Sequence, residues 1–143
     1  MAEGSRLPLG IEADAQICEE ELALLCALES YDLSQIRRRL LTDGLIPPSW
    51  VDEAMLEFRR YFGLIALLPG PIPMLSKPVD EVWHTCLLFT RLYADLCMTT
   101  VGRFVHHDPQ EEEETETAAA QDAKLEFRRV YTRLFGPPGR LWG

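Results

Sequence analysis

The residues best suited to chemistry in this sequence are its three histidines, which all fall within 24 positions, at His84, His106 and His107. Histidine is the commonest protein ligand for transition metals, and it transfers protons readily near neutral pH. The clustering of every histidine therefore favours a metal site or an acid–base site. Cys86 and Cys97 do not fit such a site, because a continuous helix would place both on other faces than His84.

A carboxylate lies one helical turn before the first histidine. Asp80 and His84 are spaced i,i+4, so Asp80 can accept a hydrogen bond from the imidazole and fix its tautomer. The connector that follows reaches His84 only if residues 101–106 run back extended along the helix, over about 20 Å. Alternate residues then point to opposite sides, so only one of the two later histidines faces His84. The candidate metal ligands are Asp80, His84, His106 and His107, with Asp108 next in sequence.

A purely structural role for the same residues is the alternative. His84 and Trp83 would then anchor the connector to the helix by hydrogen bonds, while His107 and Asp108 would help to cap the next helix. A D-x-x-W-H helix start lacks the ligand count of established zinc patterns, which favours this alternative. The sequence has no phosphate-binding glycine loop and no nucleophile elbow. We identify no catalytic or cofactor-binding residue, and a transition metal is the one cofactor under consideration.

Hydrophobic periodicity predicts an all-α fold, a bundle of about five helices. The helix that carries Asp80 and His84, over roughly 79–99, is apolar around most of its circumference, so we expect it to be buried at the centre of the bundle. A Pro-rich loop precedes it, because four prolines between Pro69 and Pro78 favour extended backbone. The other helices are predicted over 12–30, from Asp32 to Gly44, from Ser49 to Leu68 and from Ala118 to Phe135.

Residues typical of helix ends support these boundaries. Asp32 is suited to begin the second helix and Gly44 to end it. Ser49 and Asp52 are spaced like a capping box at the start of the third helix. Ser76 or Lys77 precedes Pro78 at the start of the fourth, and Gly102 ends that helix.

The whole chain, 1–143, is expected to form one domain with a flexible N-terminus at 1–10 and an acidic, partly ordered linker at 110–117. The tail around Trp142 is expected to dock its indole onto the bundle. The five residues LEFRR occur twice, at Leu56–Arg60 and Leu125–Arg129. A match this short between two amphipathic helices favours coincidence over duplication.

The charge and the cysteines limit the function further. The net charge is −9, which argues against binding nucleic acid through phosphate neutralisation. Neither an export signal nor a membrane span is recognisable, so a cytoplasmic location with reduced thiols is expected. The stripe formed by Cys86, Thr90, Tyr93 and Cys97 could be a thiol site, although buried cysteines usually behave as small apolar side chains. We therefore assign this stripe to the core.

Four segments together resemble a known family: Phe58–Leu64, Ser76–His84, Tyr93–Cys97 and Gly102–Pro109. The combination of D-x-x-W-H, Y-x-x-x-C and G-x-F-x-H-H-x-P is similar to the glycine-rich domain-containing protein-like family, which includes small bacterial proteins and the N-terminal part of plant glycine-rich domain proteins. The resemblance covers about residues 30–142 and implies no assigned biochemical role. The glycine-rich segment is missing here, so RNA binding is not carried over. Cys86 also departs from the histidine or bulky apolar residue usual at that position.

Two functions remain under consideration. The first is a non-catalytic interaction or accessory module that binds another protein, because no assembled catalytic chemistry is recognisable and Trp50 and Trp142 lie near loops where they could be exposed. The alternative is a metal-binding protein or metal-dependent enzyme with its site at Asp80, His84, His106 and His107. The sequence leaves the partner, the substrate and the oligomeric state open.

Overall fold

The computed structural model describes residues 7–107 and 117–142. These residues form six α-helices and no strand, which confirms the all-α prediction. Short 3-10 turns lie at Pro8–Gly10, Pro48–Trp50 and Arg140–Trp142, and a π-helical turn lies at Cys97–Val101. The α-helices are α1 (Glu19–Ser30), α2 (Ser34–Asp43), α3 (Val51–Leu67), α4 (Lys77–Leu88), α5 (Thr90–Leu96) and α6 (Ala118–Phe135).

Helix α3 lies at the centre of the bundle. It packs against α1, α2, α4 and α6, and ten of its residues are buried. At Gly63 the approach of α1 is so close that an added Cβ would lie 2.7 Å from Leu25 Cδ2. Helix α4, the first part of the segment predicted near 79–99, packs along α3 and also against α2. Charged side chains are interspersed among apolar ones over residues 51–60, yet even Glu57 is buried, through the polar contacts described below.

The predicted helix over 79–99 is divided at Phe89 into α4 and α5. Phe89 has φ −101° and ψ 75°, outside the helical region, and its N–H donates to Cys86 O. The division brings Tyr93 back beside α4, where its hydroxyl accepts a hydrogen bond from Trp83 Nε1 at 2.9 Å. A continuous helix would hold these two residues about 15 Å apart along its axis. No proline or glycine marks the break, so periodicity alone predicted one helix.

Most of the predicted helix ends are confirmed. Asp32 Oδ1 accepts a hydrogen bond from Ser34 N at 2.9 Å, and Ser76 Oγ accepts one from Val79 N at 3.3 Å. Gly44 and Gly102 close their helices with φ of 69° and 91°, a conformation that glycine adopts without steric cost.

Two start predictions are wrong. Helix α1 begins at Glu19, so residues 12–18 lie outside it. The predicted capping box at Ser49 does not form, because Asp52 instead accepts a hydrogen bond from Arg37 Nε at 2.7 Å.

A buried polar cluster fastens the C-terminal tail to α3. Glu57 is 6% exposed and accepts hydrogen bonds from the Tyr131 hydroxyl, from Trp142 Nε1 at 2.8 Å and from Arg60 Nη1 at 3.0 Å. Arg60 Nε also donates to Leu9 O at 2.8 Å, which ties the N-terminal segment to the same cluster. Trp142 is 1% exposed, so the predicted docking of its indole is confirmed.

The two LEFRR segments have different environments. In the first copy Glu57 is buried and Arg60 half-buried, and Arg59 Nη1 donates to the carbonyls of Leu28 and Tyr31 at 2.6 and 2.9 Å. In the second copy Leu125 is 67% exposed, and Glu126 pairs with Arg129 at the surface. The prediction of a partly ordered linker at 110–117 and that of a flexible N-terminus fall largely on residues outside those described.

Candidate functional site

The first turns of α4 present Asp80 and His84 on one face. Ser76 caps the helix, and Pro78 lies in its first turn, where a missing N–H has no cost. Asp80 Oδ2 lies 3.3 Å from His84 Nε2, as the i,i+4 spacing predicted. The His84 side chain is 51% exposed and that of Asp80 28%, so this pair opens to solvent.

The connector after Gly102 is held against α4 and α5 by buried hydrogen bonds at Val105. The Tyr93 hydroxyl donates to Val105 O, and Val105 N donates to Cys97 Sγ at 3.4 Å. Phe104 and His106 are exposed, whereas Val105 is buried and His107 half-buried. This alternation is typical of an extended segment with one side against the protein.

His107 is the later histidine that reaches the pair. Its Nε2 lies 2.7 Å from Asp80 Oδ1, and its side chain is only 10% exposed. The ring packs against Trp83 and His84, with centroid separations of 4.2 and 4.8 Å. His106 faces away, with its ring 4.9 Å from that of Phe104. The structure thus brings Asp80, His84 and His107 together and leaves His106 apart, while Asp108 lies outside the described residues.

These three side chains are of types that bind transition-metal ions. Each offers one ligand atom, and the three atoms lie within 4.8 Å of one another. Bonds of about 2.0–2.2 Å to a tetrahedral ion would place neighbouring ligand atoms roughly 3.3 Å apart. The separation from His84 Nε2 to Asp80 Oδ2 is 3.3 Å, whereas His107 Nε2 and Asp80 Oδ1 lie at the hydrogen-bond distance of 2.7 Å. The same geometry therefore also suits the structural alternative, in which the connector is anchored to α4.

A second carboxylate lies behind His84. Glu81 Oε1 is 3.6 Å from His84 Nδ1, on the side of the ring away from Asp80, and Glu81 Oε2 is 3.5 Å from Lys77 Nζ. At 3.6 Å the two atoms are too far apart for a hydrogen bond, so Glu81 adds negative charge near the ring without a direct bond to it. The sequence analysis missed this neighbour, although the i,i+3 spacing of Glu81 and His84 on α4 could have indicated it.

Tyr93 was also missed as part of the site, since its apolar neighbours suggested only a core residue. It is 1% exposed, and burial strongly raises the pKa of its hydroxyl. The hydroxyl therefore stays protonated at ordinary pH and can donate to Val105 O while it accepts from Trp83. No sequence signal links residues 83, 93 and 105, because their contact depends on the break at Phe89.

The four cysteines carry free thiols, and they differ in exposure. The assignment of the stripe to the core is confirmed for Cys86, Tyr93 and Cys97, which are buried. It is wrong for Thr90, which is exposed. Burial raises the pKa of Cys86 to about 12, and burial is also the main cause of the raised pKa of Cys97. Cys18 and Cys26 are exposed.

Thiol reactivity should divide the cysteines into two classes. A thiol with a pKa near 12 is a thiolate in roughly one molecule in 10⁴ at pH 8, so Cys86 is expected to be inert. A disulfide reagent at pH 8 should modify two thiols quickly in the native protein and four after unfolding in guanidinium chloride. Four rapid equivalents in the native protein would contradict the burial of Cys86 and Cys97.

Among residues 7–107 and 117–142, none of the helices combines the length and the apolar character needed to cross a membrane. A protein-family model described as UCP032817-like matches residues 46–133, which is more than half of the chain and contains Asp80, His84 and His107. The resemblance to the glycine-rich domain-containing protein-like family is therefore wrong as a family assignment. No curated protein and no solved structure matches the chain.

Proposed function

This chain belongs to the UCP032817-like family, and we propose that it binds one divalent transition-metal ion through Asp80, His84 and His107. The observation that carries the proposal is that three ligand atoms converge from two segments of the chain. Asp80 and His84 come from α4, and His107 comes from the connector, 23 positions after His84. The family description names no activity or ligand, so the proposal depends on this geometry.

The ligand types indicate which ions fit. Two imidazole nitrogens and one carboxylate oxygen suit zinc and other first-row divalent ions, whereas calcium and magnesium prefer sites made mainly of oxygen. Three protein ligands leave a coordination position for water or a small ligand. The exposure of the His84 side chain, 51%, supports access from solvent on that side. His107 and Asp80 are more enclosed, which favours retention of the ion.

The competing proposal of a protein-interaction module has less support. It depended on tryptophans exposed near loops, but Trp142 is 1% exposed and contacts Glu57. Trp50 is half-buried, and the Arg140 guanidinium lies 4.0 Å above its ring. A protein partner and a cytoplasmic location stay proposals, the latter supported by the four free thiols.

Titration with Co²⁺ tests the metal proposal, because bound Co²⁺ has visible absorption bands that report its ligands. Protein purified without a histidine tag should bind one ion per chain. His107→Ala is expected to weaken binding at least about 100-fold, since it removes a ligand, and removing groups that merely support a ligand already costs 10–100-fold.

His106→Ala is the matched control, because it removes the neighbouring imidazole, which faces away from Asp80. It should bind Co²⁺ within about twofold of the unaltered chain. The proposal fails if the unaltered chain shows no saturable binding, or if His106→Ala loses as much affinity as His107→Ala.

A further inference from the structure

We infer that Tyr93 is the positioning residue that sets which histidine of the connector faces Asp80. This inference rests on the proposed metal site, which it deepens by naming the group that assembles it. Tyr93 does not touch the candidate ligands and acts through Val105 and Trp83.

The first step is the placement of the hydroxyl. It lies in the core, where it accepts a hydrogen bond from Trp83 Nε1 at 2.9 Å and donates one to Val105 O. Trp83 is the neighbour of His84 on α4, and Val105 precedes His107 by two positions. One buried hydroxyl therefore connects the two segments that supply the imidazoles.

The second step is the register of the connector. In an extended segment residues i and i+2 point to the same side, so fixing Val105 inward places His107 inward and His106 outward. A slip by one residue would reverse this pattern and present His106 to Asp80. The other contact at this position, from Val105 N to Cys97 Sγ, is 3.4 Å long and has a weak acceptor. Of these two polar contacts the bond from Tyr93 is the stronger, and it acts together with the Val105 side chain, which is 4% exposed in the core.

The third step is the surface against which His107 lies. Its ring is 4.2 Å from that of Trp83, and Trp83 is itself held by its bond to Tyr93. Loss of the hydroxyl would therefore remove one restraint from the connector and one from the indole under His107. Three ligands held in advance bind an ion more tightly than ligands that must first be ordered.

Tyr93→Phe tests the inference, because it keeps the ring and removes the hydroxyl. Tyr131→Phe is the matched control: that hydroxyl is also buried and also has two partners, Glu57 and Arg60, but it lies in the cluster that holds the C-terminal tail. Both variants should melt at lower temperature. Only Tyr93→Phe is expected to weaken Co²⁺ binding, by about 10–100-fold, whereas Tyr131→Phe should stay within about twofold.

A second measurement needs no metal. In ¹H–¹⁵N spectra of the imidazole rings, the His107 signals should move in Tyr93→Phe, because the contact between His107 and Asp80 is lost in that variant. The same signals should stay in place in Tyr131→Phe. Equal Co²⁺ affinities for Tyr93→Phe and the unaltered chain, or unchanged His107 signals, would overturn the inference. If the unaltered chain does not bind Co²⁺, the metal proposal fails, and the ring spectra still decide the role of Tyr93.

A variant that leaves the buried bonds intact covers the case in which Tyr93→Phe does not fold. One glycine inserted between Val105 and His106 keeps Val105 in place and shifts His106 and His107 by one position. In this variant the former His106 is the second residue after Val105, so we expect His106 to face Asp80 and the His107 signals to change. Co²⁺ binding should then be weakened by His106→Ala and kept in His107→Ala, the reverse of the unaltered chain. Unchanged His107 signals, or binding that still depends on His107, would show that Val105 does not set the position of His107, which also overturns the inference.

Discussion

Replacing Glu57 with alanine is expected to lower the free energy of unfolding by about 3–5 kcal/mol, because it leaves a buried charge without its partner. Glu57 is 6% exposed and accepts hydrogen bonds from Arg60, Tyr131 and Trp142. Its removal would leave the Arg60 guanidinium, 14% exposed, with neutral partners only, at Leu9 O and the Tyr131 hydroxyl, and would take away the acceptor of the Trp142 indole. Chemical denaturation followed by circular dichroism measures the loss.

The second LEFRR segment supplies a matched control. Glu126 occupies the position equivalent to Glu57 in the repeat, but it pairs with Arg129 at the surface. Glu126→Ala is therefore expected to leave the denaturation midpoint unchanged, since exposed ion pairs contribute little. Equal effects of the two substitutions would show that the cluster around Glu57 does not hold the tail.

Replacing Trp83 with alanine is also expected to cost about 3–5 kcal/mol, because truncation of a large core side chain loses burial and leaves a cavity. Trp83 is 5% exposed and packs edge-on against Tyr61 and Phe62, with ring centroids 5.4 and 5.9 Å away. The substitution also removes the indole under His107 and one partner of Tyr93. We therefore expect weaker Co²⁺ binding together with the lower melting temperature.

Trp50→Ala separates a core tryptophan from one nearer the surface. Trp50 is half-buried at the edge of the core, and the Arg140 guanidinium lies over its ring, so its loss is expected to cost about 1 kcal/mol of cation–π stabilisation besides a smaller packing loss than that of Trp83. Metal affinity should not change in this variant. A melting temperature for Trp83→Ala equal to that of the unaltered chain would show that Trp83 is not a core residue.

The features that local chemistry determines were predictable from sequence. Ser76 caps α4, and Asp32 accepts a hydrogen bond from Ser34 N one position before the N-cap Leu33, because a short polar side chain can accept a hydrogen bond from a nearby unpaired N–H. Gly44 and Gly102 end helices because the left-handed conformation there favours glycine. The pairing of Asp80 with His84 follows equally from i,i+4 geometry within α4.

Features that depend on tertiary contacts were not predictable in this way. The break at Phe89 has no local marker and brings Tyr93 close enough to bond Trp83 in the core. The central position of α3 depends on burying Glu57, whose partners include the distant Tyr131 and Trp142 besides the local Arg60. The burial of Glu57 was therefore not predictable from the α3 sequence alone.

The candidate site combines both cases. Sequence spacing could propose Asp80 and His84 and could limit the third member to one of two histidines. The choice of His107 over His106 is made by the bond from Tyr93 to Val105 O, which lies outside any local pattern. The sequence did not indicate this role for Tyr93, because its apolar neighbours suggested only a core residue.

Anomalous diffraction from crystals grown with Zn²⁺, with data collected on both sides of the zinc absorption edge, tests the metal proposal most directly. The account predicts one edge-dependent peak per chain, about 2.0–2.2 Å from an oxygen of Asp80 and a ring nitrogen each of His84 and His107. No peak among these three side chains, or a peak that includes His106 in place of His107, would contradict it.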